Sequence, residues 1–84
     1  MLYVLQCLDR PGAQALRQQI RPQHLAFVGR RAQAFRFGGP LIGEDGTVNG
    51  SLMLLELPDR DALDRHMGED PFFTSGLFQT VNVW

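Results

Sequence analysis

Four side chains in this sequence have the types that proton chemistry needs. His24 lies in "RPQHLAFV", residues 21–28, in the middle of an apolar helical stripe. Burial disfavours the charged form of an imidazole, so a histidine in such a stripe rests as the neutral base that can take a proton. The same position also suits a core histidine satisfied by one backbone hydrogen bond. Asp70 precedes proline in "EDPFF", residues 69–73. That is the arrangement of an N-cap on a short helical turn, and equally of a carboxylate available to an imidazole N–H. Arg21 stands about one helical turn before His24, placed either to hold an anionic or phenolate oxygen or to lie as a solvated charge. Ser51 opens a strand and offers a hydroxyl to a substrate, or serves only as a polar residue after a turn.

Other chemistries lack their residues. Neither serine sits in a GxSxG elbow. Cys7 is the single cysteine, within an apolar run where nothing lowers its pKa, and it reads as an inert small hydrophobe. His24 and Asp70 give a metal two ligands with no third at a suitable spacing. The stretch "GGPLIGEDG" is acidic, joins two strands and lacks the spacing of a phosphate loop. No metal or cofactor is expected. His66, beside Asp64 and Arg65, reads as a surface residue, and Phe72, Phe73 and Phe78 read as core residues able to line a pocket beside Asp70.

The elements that must position these groups follow from local pattern. "LYVLQCL" is an apolar run with no basic leader, far short of the roughly 20 residues that cross a bilayer, and is the first strand. From Ala13 to about Ala34 the period becomes helical: Leu16, Ile20, His24, Phe27 and Val28 share a face, with Arg17 and Arg21 off it. Pro22 removes an N–H and restrains Arg21, so a kink or two abutting helices is expected there. "AFRFGGPL" is a second strand ending at Gly38-Gly39-Pro40, where a central strand could not continue. Asp45-Gly46 and Asn49-Gly50 are turn dipeptides leading to a third strand over residues 51–57. Pro58 and Asp59 open a second helix, acidic in its first turn and ended by Gly68. Asp70 and Pro71 start a short turn, and "LFQTVNVW" is a fourth strand. The order is that of the ferredoxin-like split βαβ, an α+β fold with both helices on one face of a four-stranded antiparallel sheet.

All 84 residues form one domain, and so short a chain has a modest core. The 44% apolar and 20% charged content is that of a folded globular protein. Without a second cysteine no internal disulfide supports the core, which suits a reducing, cytoplasmic setting. The net charge of −1 hides an asymmetry: residues 1–43 hold six arginines against Asp9, and residues 44–84 hold two arginines against eight acids. Such halves are expected to attract each other within the fold, which leaves no uncompensated basic field for nucleic acid. RNA-binding domains of this topology stack bases on strand aromatics, and the third strand has none.

Both faces of the sheet read as apolar. Leu2, Val4 and Leu8 lie opposite Tyr3, Leu5 and Cys7 in the first strand; Leu52 and Leu54 lie opposite Met53, Leu55 and Leu57 in the third. Two helices cover one face. The other is expected to pack against the same face of a second copy, giving a homodimer.

Taken together, "RPQHL", "GGPL", "DGTVNGSLMLLEL" and "EDPFFTSGLFQTVNV" resemble the YCII-related (YciI-like) proteins over nearly the whole chain. The resemblance implies a dimeric α+β barrel of ferredoxin-like subunits, with an active site built around a histidine and an aspartate that correspond to His24 and Asp70. One branch of the family resembles dehydrochlorinases of chlorinated, hydroxylated rings. Asp70 would then serve twice, one carboxylate oxygen accepting backbone N–H groups and the other the imidazole N–H of His24, with Arg21 and Ser51 contacting substrate. The expected function is acid/base chemistry of lyase or elimination type on a small substrate, aromatic or carbonyl-containing; the alternative is a non-catalytic dimeric module that binds a small molecule in the same pocket.

Overall fold

The computed structural model describes residues 1–84 as β1 (Leu2–Asp9), α1 (Gln14–Arg30), β2 (Phe35–Ile42), β3 (Val48–Glu56), α2 (Arg60–Glu69), α3 (Pro71–Thr74) and β4 (Phe78–Val83). The strands form one antiparallel sheet in the order β2-β3-β1-β4, the ferredoxin-like arrangement. The strand period of two assigns every residue of β1 to a face. Tyr3, Leu5 and Cys7 point into the core with Met53 and Leu55 of β3, where Ile20, Leu63, Phe72 and Leu77 meet them.

The opposite face carries the other half of the alternation. Register pairs Val4 with Leu54 and Leu54 with Phe37, so these side chains share one surface of three adjacent strands. Leu2 is 59% exposed, Leu8 40% and Phe37 54%, on the side of the sheet away from the core.

Several local expectations are corrected. Pro22 lies inside one continuous helix, so two abutting helices do not form there. It sits on the solvent side, where the carbonyl of Gln18 left without a partner can turn to water. That helix ends at Arg30 instead of near Ala34, with the Arg31 N–H bonded back to Phe27 and Val28. β2 runs through Gly38-Gly39-Pro40 to Ile42, because it is an edge strand, where a missing N–H costs no ladder bond. Asp45-Gly46 does form the turn, the Gly43 N–H bonding Thr47 O at 2.8 Å. Asn49-Gly50 lies within β3, and a β-carbon at Gly50 would fall 2.1 Å from the carbonyl oxygen of Cys7. A close strand approach, not a turn, requires that glycine. Gly68 is inside α2, which continues to Glu69.

The charge asymmetry is used sparingly. Between the basic and acidic helical segments the side-chain ion pair is Arg31, just past the end of α1, with Glu69 of α2, both exposed, an interaction contributing about 0–1 kcal/mol. The most buried arginine, Arg17, pairs with Asp9 of its own half.

Candidate active site

Helix α1, strands β2 and β3, and helix α3 enclose a cleft of about 550 Å³. α1 is laid across the sheet by a stripe at spacings of three and four, Arg17, Ile20, His24 and Phe27, all buried. His24 therefore faces inward at mid-helix and lines the cleft. α3 brings Asp70 to it. Asp70 caps that helix, its Oδ1 accepting the Phe72 N–H at 3.0 Å, and it has no exposed surface.

His24 Nδ1 lies 2.7 Å from the same Oδ1. A carboxylate accepts, so Nδ1 is the donor, and in the neutral ring this leaves the lone pair on Nε2, on a side chain that borders the cavity. The division of labour differs from the expected one: a single oxygen takes both the cap and the imidazole, while Oδ2 is buried without a partner. The imidazole also lies on the Phe72 ring, centroids 3.9 Å apart and planes 6° from parallel. Packing and hydrogen bond together allow the ring little rotation.

Arg17, expected off the inner face, is buried at the cleft. Its Nε bonds Asp9 Oδ2 at 2.7 Å and its Nη2 bonds Asp9 Oδ1 at 2.9 Å, a bidentate pair. Nη2 also donates to Ser51 Oγ at 2.9 Å, and the guanidinium lies over the Phe72 ring at 4.8 Å. Register explains the meeting. Asp9 follows the inward series Tyr3, Leu5, Cys7 in β1, and Ser51 pairs with Cys7 across to β3. Ser51 is buried at the cleft wall, and with Arg17 donating to its oxygen its own hydrogen is left for an acceptor in the cavity. Arg21 is exposed at the cleft and takes part in no ion pair.

Two further groups complete the electrostatics. His66 is buried, not on the surface, edge-on to Phe27 at 4.9 Å, with Nε2 unpartnered. Its spacing from Leu63 and Asp70 puts it on the inner side of α2 despite its charged neighbours. Burial holds its imidazole below the ordinary histidine range, against the opposing pull of the Asp70 carboxylate. Burial, reinforced by the Asp70 and Asp9 carboxylates, pushes the Cys7 thiol up to about 12, so it is no nucleophile. No group of three or more His, Cys, Asp or Glu side chains is arranged to hold a metal ion. No helix is long and apolar enough to cross a membrane.

The four-stranded antiparallel sheet with its βαββαβ order has the fold of the dimeric α+β barrel proteins. The chain belongs to the YCII-related domain family, which matches residues 1–84. It is similar, at 29% identity and a TM-score of 0.91, to 5-chloro-2-hydroxyhydroquinone dehydrochlorinase of Burkholderia phenoliruptrix, solved in complex with 2,5-dihydroxybenzoquinone; the match covers 100% of this chain and 91% of that one. An antibiotic biosynthesis monooxygenase shares the fold at 22% identity and a TM-score of 0.58, over 100% of this chain and 94% of that one. So does PA3566 of Pseudomonas aeruginosa, at 21% identity and a TM-score of 0.55, over 99% and 87%. No curated protein matches the sequence.

Proposed function

We propose that this chain is a small lyase-type enzyme that eliminates an anionic leaving group from a hydroxylated ring, with His24 as general base. The observation that carries the reading is the 2.7 Å contact between His24 Nδ1 and Asp70 Oδ1 at the wall of a ligand-sized cleft. Asp70 holds one tautomer and stabilises the imidazolium formed on proton uptake, so Nε2 is the atom that receives the proton. An O–H bond of the substrate breaks toward Nε2, and its electron pair forms a ring C=O as the halogen-bearing carbon takes up a proton. Loss of a second hydroxyl proton to His24 then forms the other C=O and a ring double bond at that tetrahedral carbon as the carbon–halogen bond breaks, leaving a quinone and halide. The proton on His24 then passes to water. Ser51 and Arg21 contact the substrate: the Ser51 hydroxyl, positioned by Arg17, donates to a ring oxygen, and the Arg21 guanidinium attracts developing negative charge at the cleft mouth. The likeness to a dehydrochlorinase supports this substrate class.

The functional unit in this reading is a homodimer formed through the open sheet faces, in a reducing compartment such as the cytoplasm, where Cys7 stays a thiol. Chloride release from 5-chloro-2-hydroxyhydroquinone tests the chemistry. Native protein is expected to turn over, and His24→Gln to lose about 10²–10⁴-fold in rate with its circular dichroism unchanged. Absence of chloride release from native protein overturns the elimination reading, and undiminished turnover by His24→Gln overturns the role of the base.

A further inference from the structure

Strand β2 contains an irregularity with consequences for the cleft. Phe35 pairs with Leu55 and Gly38 with Met53, so three steps along β2 match two along β3. The extra residue is a bulge between Phe35 and Phe37. In a regular strand positions 35 and 38 point to opposite faces. Here both pair with inward residues of β3 and become successive positions on the helix-facing side.

The Phe35 ring uses this. A β-carbon built on Gly38 would meet Cε1 and Cζ of Phe35 at 2.4 Å, so the ring lies where a side chain at 38 would stand. Covering a strand glycine with an aromatic ring is a stabilising arrangement in itself. In this chain, however, Phe35 and Gly38 both line the cleft, and Phe35 stands 6.5 Å from His24 with its ring at 70° to the imidazole.

We propose that the Phe35 ring, seated on Gly38, is the flat wall against which a planar substrate stacks, and that the absent side chain at position 38 sets the width of the slot. A ring lying flat on Phe35 stands steeply to the imidazole and turns toward it the rim that carries hydroxyl hydrogens. Adding a methyl at 38 lifts the phenyl ring off the sheet toward α1, into the space the substrate needs. Gly38 thus determines specificity without touching the ligand. This deepens the proposed function and rests on its substrate class.

The test is the affinity of the intact protein for 2,5-dihydroxybenzoquinone, followed by titration calorimetry for the parent, Phe35→Leu, Gly38→Ala and the double variant. Phe35→Leu is expected to weaken binding about three- to tenfold, the worth of one aromatic stacking contact. Gly38→Ala is expected to weaken it tenfold or more. The double variant should bind like Phe35→Leu alone, because without the large ring the added methyl displaces nothing. Parent protein that fails to bind the quinone overturns the substrate class. Parent protein that binds, with Phe35→Leu equally tight, overturns the wall while leaving the proposed function intact. Additive losses in the double variant overturn the width mechanism. Phe35→Leu decides the wall even where Gly38→Ala does not fold. A lowered melting temperature with unchanged affinity reduces Phe35 to glycine cover and overturns the proposal.

Discussion

Arg17 and Asp9 face each other with Nε 2.7 Å from Oδ2, their side chains 9% and 6% exposed. A pair so nearly cut off from water contributes little net stability over an apolar substitute, but either partner left alone is costly. Arg17→Met strands the Asp9 carboxylate and frees Ser51 Oγ of its donor. It is expected to destabilise the fold by about 3–5 kcal/mol, a large share of what a small domain has. Arg17→Met combined with Asp9→Leu should recover much of the loss. Urea denaturation of the three proteins checks this, and equal stability of the single and double variants would contradict it.

His66 makes stability depend on pH in a defined direction. Burial lowers the folded-state pKa, so above about pH 6.5 both folded and unfolded imidazoles are neutral and the group has no effect. As pH falls through that value the unfolded chain takes up a proton that the folded chain refuses. Stability is lost until the folded pKa is passed. The groups facing this imidazole include Asp70, Arg31, Glu69 and His24. Replacing His66 by Leu removes the uptake, so the urea midpoint should fall less between pH 7.5 and 5.5 than in the parent. Parallel midpoints across that range would remove His66 from the account.

The open face of the sheet predicts an assembly. Val4, Leu54 and Phe37 share a surface with no covering element, and an apolar area of this kind on a small domain calls for a partner surface. Light scattering of the parent protein should give twice the chain mass. Leu54→Asp, which puts a carboxylate in the middle of that surface, should give a single chain that keeps its far-ultraviolet dichroism. A monomeric parent would leave the face without this explanation.

Much of the architecture was legible because it depends on pattern. Alternation in "LYVLQCL", the helical period after Ala13 and the Asp70-Pro71 start each specify their element locally, and the order of elements specifies the sheet. What escaped depends on partners far along the chain. Arg17 has the inward spacing, seven residues before His24, but its charge argued for solvent; only Asp9 and Ser51, delivered by strand register, make burial tolerable. His66 was hidden by the charges beside it in the same way. Neither the continuity of α1 through Pro22 nor that of β2 through Gly38-Gly39-Pro40 is legible locally, because the cost of a proline depends on which side faces water and which strand lies at the edge. The meeting of His24 with Asp70, 46 residues apart, came from likeness to a family and not from spacing.

Asp70 Oδ1 serves two masters: the amide that begins α3 and the imidazole of α1. Four residues of helix are too few to persist unaided, so any excursion that frays this turn releases the histidine in the same event. The pair consequently has no lifetime of its own. It exists for as long as the turn is wound, and whatever loosens the backbone at Phe72 parts the imidazole from its carboxylate.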